Sequence, residues 1–390
     1  MDIPLLDLKA QYQSIREEIN QKILEVASSQ KFILGSEVEN LEKEIAAFSE
    51  VKFATGVSSG SDALLVSLMA LDVGEGDAVV TTPFTFFATA GAVARLKARP
   101  VFCDIDKTSC NISPEKLEEL LEDQSKGHQD LQIKAIIPVH LYGQCADMNP
   151  IMNLASKHDL FVVEDAAQAI GAEYPSSSGI KKAGAIGNFG ALSFFPSKNL
   201  GAFGDGGMVL TNDENLAKKT KLLRVHGSRD KYFYEVLGGN FRLDTLQAAI
   251  LRVKLKYLES WQQKRMEKAS YYDNAFKESG IREEGPIQTP ETLYKDKGVK
   301  SYHVFHQYVI RAEKRDRLKK FLQEKGVPTA IYYPLPLHLQ KCFSYLGHKE
   351  EDFPVAEEAA REVLALPIYP ELTSDQQDFI VSSIQSFYKG

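Results

Sequence analysis

Apolar residues recur at helical spacing near the start of the chain, at Ile15, Ile19, Ile23 and Leu24 and again at Val38, Leu41 and Ile45. Two helices are predicted between residues 14 and 49, separated by Phe32-Ile-Leu-Gly. From about residue 53 the pattern changes to short apolar runs alternating with longer amphipathic ones. Asp77-Ala-Val-Val-Thr-Thr, Pro100-Val-Phe-Cys-Asp, Lys134-Ala-Ile-Ile-Pro-Val and Leu160-Phe-Val-Val-Glu-Asp read as strands, with a helix after the first and another over Met148 to His158. Continuous apolar strands bracketing helices predict a mostly parallel sheet covered on both faces. Gly190 to Phe195 and Gly207 to Thr211 read as two more strands meeting across the turn signal Asp205-Gly-Gly, followed by a basic helix over Asn215 to Val225.

The second half has a different rhythm. Thr245 to Gly280 reads as one long helix or two joined, a hinge to a further domain; Tyr302 to Ile310 is strand-like, and Arg315 to Gly326 and Ala356 to Leu364 are helical. A length of 390 residues exceeds what one core usually organises, so an α/β domain over 1–245 and a smaller α+β domain over 246–390 are expected. Glu122 to Asp130 and Tyr174 to Lys182 are polar enough to be surface insertions.

Composition is that of a folded globular chain, 44% hydrophobic and 25% charged, so long disordered stretches are not expected. The net charge is 46 − 53 = −7 with no long basic block, which argues against nucleic acid as a partner and against a membrane-surface role. Ala78 to Ala94, the longest uncharged stretch, falls short of the roughly 18 apolar residues of a membrane span. Cys103, Cys110, Cys145 and Cys342 are scattered without CxxC spacing, indicating neither a metal site nor a disulfide framework. That fits a reducing cytoplasm, as does Met1-Asp-Ile-Pro, which has an acid where a signal peptide has basic residues.

Three features carry candidate chemistry. Lys198, in Ser193-Phe-Phe-Pro-Ser-Lys, directly follows a buried strand; a desolvated lysine there loses its proton easily and attacks an aldehyde, although most lysines only solvate a surface. Asp165 closes a strand at its carboxyl end, where open α/β sheets place ligands; it would serve equally as a helix cap, and Gln168 would reach the same ligand or face solvent. In Ser58-Ser-Gly-Ser-Asp-Ala-Leu-Leu small residues open a helix, which suits either a bound phosphate or an ordinary N-cap. Phe86 would stack on a flat ring or fill the core. No GxGxxG follows the early strand, which disfavours a nicotinamide-dependent enzyme.

Taken together, Phe32-Ile-Leu-Gly, Ser59-Gly-Ser-Asp-Ala-Leu, Pro138-Val-His-Leu-Tyr-Gly, Glu164-Asp-Ala-Ala-Gln, Ser193-Phe-Phe-Pro-Ser-Lys, Gly204-Asp-Gly-Gly and Asn240-Phe-Arg-Leu-Asp-Thr-Leu-Gln-Ala-Ala resemble the nucleotide-sugar aminotransferases of the DegT/DnrJ/StrS family over nearly the whole chain. The resemblance implies fold type I: a seven-stranded sheet flanked by helices, binding pyridoxal 5'-phosphate (PLP) that cycles with pyridoxamine 5'-phosphate. It implies Lys198 as the lysine bonded to the cofactor, Asp165 as partner of the pyridine nitrogen, Gln168 beside the ring oxygen and Phe86 stacked on the ring. Ser193, Gly60 and Ser61 would bind the phosphate, and Asn240 would reach it from a neighbouring subunit, so a homodimer with shared active sites is expected. Arg229 and His338 match substrate-binding positions. Family dehydratases carry histidine in place of the lysine, so Lys198 favours transamination, from L-glutamate to a UDP- or dTDP-linked keto-sugar, in biosynthesis of a surface polysaccharide or secondary metabolite. Asn240-x-Arg-Leu-Asp-Thr-Leu-Gln resembles the subgroup acting at carbon 3. The alternatives are a 4-keto-sugar aminotransferase and a PLP-binding regulatory protein without turnover.

Overall fold

The computed structural model describes residues 3–127, 132–230, 232–281 and 285–389. Strands β1 (Phe53–Val57), β2 (Asp77–Thr81), β3 (Arg99–Phe102), β4 (Gln132–Ile137) and β5 (Phe161–Asp165) precede a hairpin of β6 (Glu173–Ser176) and β7 (Gly179–Lys182), and β8 (Phe189–Ser193) and β9 (Gly207–Thr211) follow. Seven of them form one sheet in the order β1-β9-β8-β5-β4-β2-β3. Only β9 runs against its neighbours, so the sheet is mostly parallel, as the apolar runs predict.

The alternation of side chains along each strand explains why the runs are continuously apolar. Val80, Val162, Leu192 and Leu210 face one side, where they meet the helices α2 (Ser36–Phe48), α6 (Met148–Lys157) and α8 (Thr245–Leu255). Their chain neighbours Val79, Val163, Ala191 and Val209 face the other, against α3 (Gly60–Ala70), α4 (Ala88–Arg95) and α7 (Glu214–Leu223). Both faces are covered, so the alternate positions are apolar too, apart from a few buried polar residues such as Thr81 and Glu164 that are hydrogen-bonded. The long N-terminal helix α1 (Leu8–Ser29) packs Ile15 and Ile19 against Ile250, Val253 and Trp261.

A second apolar cluster surrounds a three-stranded sheet of β12 (Ile287–Gln288), β13 (Tyr308–Ala312) and β14 (Val363–Leu366), packed by α9 (Leu258–Ser279), α10 (Arg315–Glu324) and α12 (Ser374–Lys389). Ile3 joins that cluster, so both ends of the described chain meet in it. The remaining α-helices and strands are α5 (Pro114–Gly127), α11 (Pro354–Glu362) and a two-stranded ribbon of β10 (Ser228–Asp230) and β11 (Phe233–Tyr234). Among the described residues no helix is long and apolar enough to cross a membrane.

Several local expectations are corrected. β8 and β9 pair antiparallel but are joined by residues 194–206, not by a tight turn at Asp205-Gly-Gly. The helix read over Ala356 to Leu364 stops at Glu362, because Val363-Leu-Ala-Leu pairs with β13. The strand read from Tyr302 begins at Tyr308; Phe305 has φ 40° and its N–H donates to Nδ1 of His303, which takes the preceding residues out of the ladder. Tyr174 to Lys182 forms the β6–β7 hairpin with Tyr174 buried, whereas the stretch from Glu122 to Asp130 runs into residues 128–131, outside the described residues.

Glu164 fixes the frame beside the site. Fully buried on β5, it accepts backbone N–H bonds from Gly184 (2.8 Å), Ile186 (2.7 Å) and Gly187 (2.7 Å), and its Oε2 lies 2.8 Å from Nε2 of His140. Glu164→Ala would leave three amides without their acceptor, at about 1–3 kcal/mol each where water cannot replace it. A loss of about 3 kcal/mol or more in urea unfolding is expected, with Glu164→Gln losing less. A loss below about 1 kcal/mol would contradict this role.

Candidate active site

A cavity of about 470 Å³ opens at the carboxyl ends of β5 and β8, where open parallel sheets place their ligands. Lys198 reaches it from the loop after β8, its backbone N–H closing a turn onto the carbonyl of Phe195 at 2.8 Å. Burial lowers the pKa of its amine from the ordinary lysine value to about 8, and the negative charge of Asp165 opposes that fall. Asp165 lines the same cavity from the end of β5 and is only 6% exposed. Its Oδ2 accepts from Oγ1 of Thr89 at 2.8 Å and its Oδ1 from the N–H of Ala167 at 3.2 Å. Burial raises its pKa, while Thr89, Ala167, Lys198 and His140 act in the opposite direction. A cation donated by a ligand would find a carboxylate held in place and short of positive charge.

The loop between β1 and α3 supplies a third wall. Ser59 caps α3, its Oγ accepting from the N–H of Asp62 at 3.0 Å, so the helix starts at Gly60 with first-turn amides that have no intrahelical acceptor. A Cβ on Gly60 would lie 2.5 Å from Cβ of Ser193, and one on Gly207 would lie 2.3 Å from the carbonyl oxygen of Ser59. Only glycine permits strands β8 and β9 to pass this close beneath the loop. Gly60, Ser61 and Ser193 thus converge on one edge of the cavity, where amides, a helix N-terminus and a hydroxyl suit a phosphate.

Gln168 is held at both ends: Oε1 accepts from the N–H of Tyr142 at 2.8 Å, and Nε2 donates to the hydroxyl of Tyr333 at 3.1 Å. Phe86 lines the cavity with its side chain largely exposed, its ring centroid 6.3 Å from that of Tyr333. Seven of the residues singled out in the sequence therefore share one cavity: Gly60, Ser61, Phe86, Asp165, Gln168, Ser193 and Lys198.

Three do not line it. Asn240 lies in an adjoining cavity of about 530 Å³ with Arg242, Asp244 and Gln247; the two cavities share Ser59 and Asp205. Arg229 is exposed on the β10–β11 ribbon and pairs with Glu235 at 3.2 Å. His338 is buried, with Nε2 3.1 Å from Oε1 of Glu357 and its ring 4.7 Å from that of Phe353. Burial lowers its pKa and Glu357 opposes the shift.

The structure adds residues that the sequence patterns did not single out. His306, Gln307, Tyr332 and Tyr333 form the wall contributed by the second half of the chain. Tyr332 and Tyr333 stand in the same Tyr-Tyr-Pro-Leu-Pro-Leu-His run that pointed to His338, and the tyrosines, not the histidine, face the cavity. His306 has its Nδ1 3.3 Å from Oδ1 of Asn199, and burial pushes its pKa well down, so it stands as a neutral imidazole near Lys198. Thr89 had no signal beyond its spacing of four from Thr85, its partner at 3.0 Å. No group of three His, Cys, Asp or Glu side chains suited to a metal ion occurs among the described residues.

The observed donors fit PLP: an amine for its aldehyde, a buried carboxylate for its ring nitrogen, and a cradle closed by Gly60 and Ser193 for its phosphate. The family model of the DegT/DnrJ/EryC1/StrS aminotransferases matches residues 13–385. The chain is similar to a pleiotropic regulatory protein of Geobacillus stearothermophilus, 49% identical over 390 residues that cover 100% of this chain and 99% of that protein. It is also similar to a UDP-N-acetyl-3-dehydro-alpha-D-glucosamine 3-aminotransferase of Acidithiobacillus ferrooxidans, 42% identical, with coverage of 100% and 98%. Among solved structures, S. venezuelae DesV in complex with a ketimine intermediate superposes with a TM-score of 0.91 at 37% identity, covering 100% of this chain and 99% of that one.

Proposed function

The chain belongs to the DegT/DnrJ/EryC1/StrS aminotransferase family, and on that premise we propose that it transfers the amino group of L-glutamate to the carbon-3 ketone of a nucleotide-linked sugar. The observation that carries the reading is the meeting of Lys198 and Asp165 in one cavity beside the cradle of Gly60 and Ser193. The choice of carbon 3 draws support from Asn240-x-Arg-Leu-Asp-Thr-Leu-Gln and from the 3-aminotransferase relative.

PLP, the cofactor of this family, supplies an aldehyde that bonds an amine and a ring that accepts the electron pair released at the substrate carbon. Lys198 would hold it through Nζ, Asp165 would keep its ring nitrogen protonated, and Gly60, Ser61 and Ser193 would bind its phosphate. Nζ of Lys198 would also be the base that takes the proton from the α-carbon of L-glutamate. In the sugar half of the cycle the same amine handles the proton at the carbon that gains nitrogen. Phe86 and Tyr333 line the same cavity, and Phe86 would stack on the cofactor ring. We assign Asn240 to the neighbouring active site of a homodimer, which accounts for its position behind the cradle in a single chain.

A pH dependence follows from the amine. Only the unprotonated form attacks an aldehyde, and with a pKa of about 8 roughly one tenth of Lys198 is unprotonated at pH 7, against roughly 0.1% or less for a solvated lysine. The rate at which cofactor-free protein captures PLP should rise about tenfold per pH unit below about 8 and level off above it. A rise continuing to about pH 10 would mean that Lys198 keeps an ordinary pKa.

The relative named as a pleiotropic regulatory protein favours a second reading, in which the chain binds PLP without turnover. Steady release of 2-oxoglutarate from L-glutamate in the presence of a nucleotide-linked 3-keto-sugar, with the new amine located at carbon 3 by NMR, supports amino transfer. An amine found at carbon 4 would overturn the choice of carbon, and no release with either sugar class would favour the regulatory reading.

A further inference from the structure

Lys254 is a buried cation that the proposed reaction does not use. It lies on α8, 3% exposed, and no carboxylate acts on its charge among the described residues. Its Nζ donates to the carbonyl of Gly201 at 2.7 Å and stands 5.0 Å from the centroid of the Phe203 ring. Burial alone lowers its pKa, to about 8. A lysine kept out of water without a counter-charge is costly, and at such a site it commonly marks a functional constraint.

Gly201 belongs to the loop that carries Lys198, and that loop is closed tightly. A Cβ on Gly201 would lie 2.2 Å from the carbonyl oxygen of Pro196, and the N–H of Ala202 donates to the carbonyl of Phe194 at 2.8 Å. A shift at Gly201 is therefore passed to the turn holding Lys198. Two turns earlier on α8, Gln247 accepts the N–H of Phe203 at 2.8 Å through Oε1. On the opposite side Asn199 donates Nδ2 to the carbonyl of Val304 at 2.9 Å. The loop is thus clamped between α8 and the segment leading into β13.

We propose that Lys254 is a positioning residue for Lys198, its ammonium latching the Gly201 carbonyl so that the loop presents Nζ of Lys198 to the cavity in one orientation. The inference rests on the reading of Lys198 given above. The latch sets where the reacting amine stands and makes no contact with substrate, so its loss should slow proton transfer and leave substrate affinity nearly unchanged.

Lys254→Met retains the length and the apolar packing of the stem, and Lys254→Gln retains a donor without the charge. In cofactor-free protein, hydrogen–deuterium exchange over residues 196–203 should quicken about tenfold or more in the methionine variant. In holoenzyme, kcat should fall about 10- to 100-fold with KM for L-glutamate within about threefold, and the pH at which the visible band of bound PLP changes should move. The inference is overturned if exchange and kcat both stay within about twofold of wild type, or if KM rises while kcat holds. Should Lys254→Met fail to fold, Lys254→Leu, which also lacks a donor, decides by the same thresholds. Wild-type protein that does not bind PLP would defeat the reading of Lys198, whereas the exchange measurement would still report on the latch.

Discussion

Lys198→Ala is expected to lower turnover at least ~10³-fold, because in the proposed reaction the same amine serves as acid–base group and as covalent anchor. The substitution removes a partly buried amine whose charge is disfavoured by its surroundings, so the fold should not lose stability. The variant should still bind PLP through the cradle of Gly60, Ser61 and Ser193, but reversibly, and dialysis should strip it from the variant faster than from wild type. Single-turnover kinetics with L-glutamate separate the two roles. Appreciable multiple-turnover activity in Lys198→Ala would sink the assignment.

Asp165→Asn should have the second largest effect, a fall in kcat of about 10²- to 10³-fold. Asparagine keeps the shape and still accepts from Thr89, which lies 2.8 Å from Oδ2, but it brings no negative charge to the floor of the cavity. Burial raises the pKa of the carboxyl, and Thr89, Ala167 and the positive charge of Lys198 offset only part of that, so a ligand cation would be needed to favour the charged form fully. Removing a costly buried charge should change urea stability by less than about 1 kcal/mol, which sets this variant apart from Glu164→Ala. A variant that keeps more than about one tenth of wild-type kcat would show that Asp165 only caps the residues that follow it.

The large sheet was legible because both of its faces are buried: continuous runs such as Leu160-Phe-Val-Val-Glu-Asp leave no other reading once helices flank them. Lys198 and Asp165 stood out because one follows and the other closes a predicted strand, where the fold creates the cavity, and Ser59-Gly-Ser because small residues open a helix there. The wall formed by His306, Gln307, Tyr332 and Tyr333 was not, since those residues lie in irregular segments about a hundred positions or more from Lys198 and are brought there by packing alone. β14 was hidden for a related reason: Val363-Leu-Ala-Leu continues the helical pattern of α11, and only pairing with β13 makes it a strand. His338 shows the converse, a polar residue in a telling run whose partner, Glu357, comes from a helix that no local pattern connects to it.

The most direct test of amino transfer is the absorption spectrum of the purified protein with PLP, recorded before and after addition of L-glutamate together with an assay for 2-oxoglutarate. A visible band that gives way to the near-ultraviolet band of the aminated cofactor, with one equivalent of 2-oxoglutarate released per site, is the predicted result. A visible band that L-glutamate leaves unchanged, with no 2-oxoglutarate formed, would contradict it.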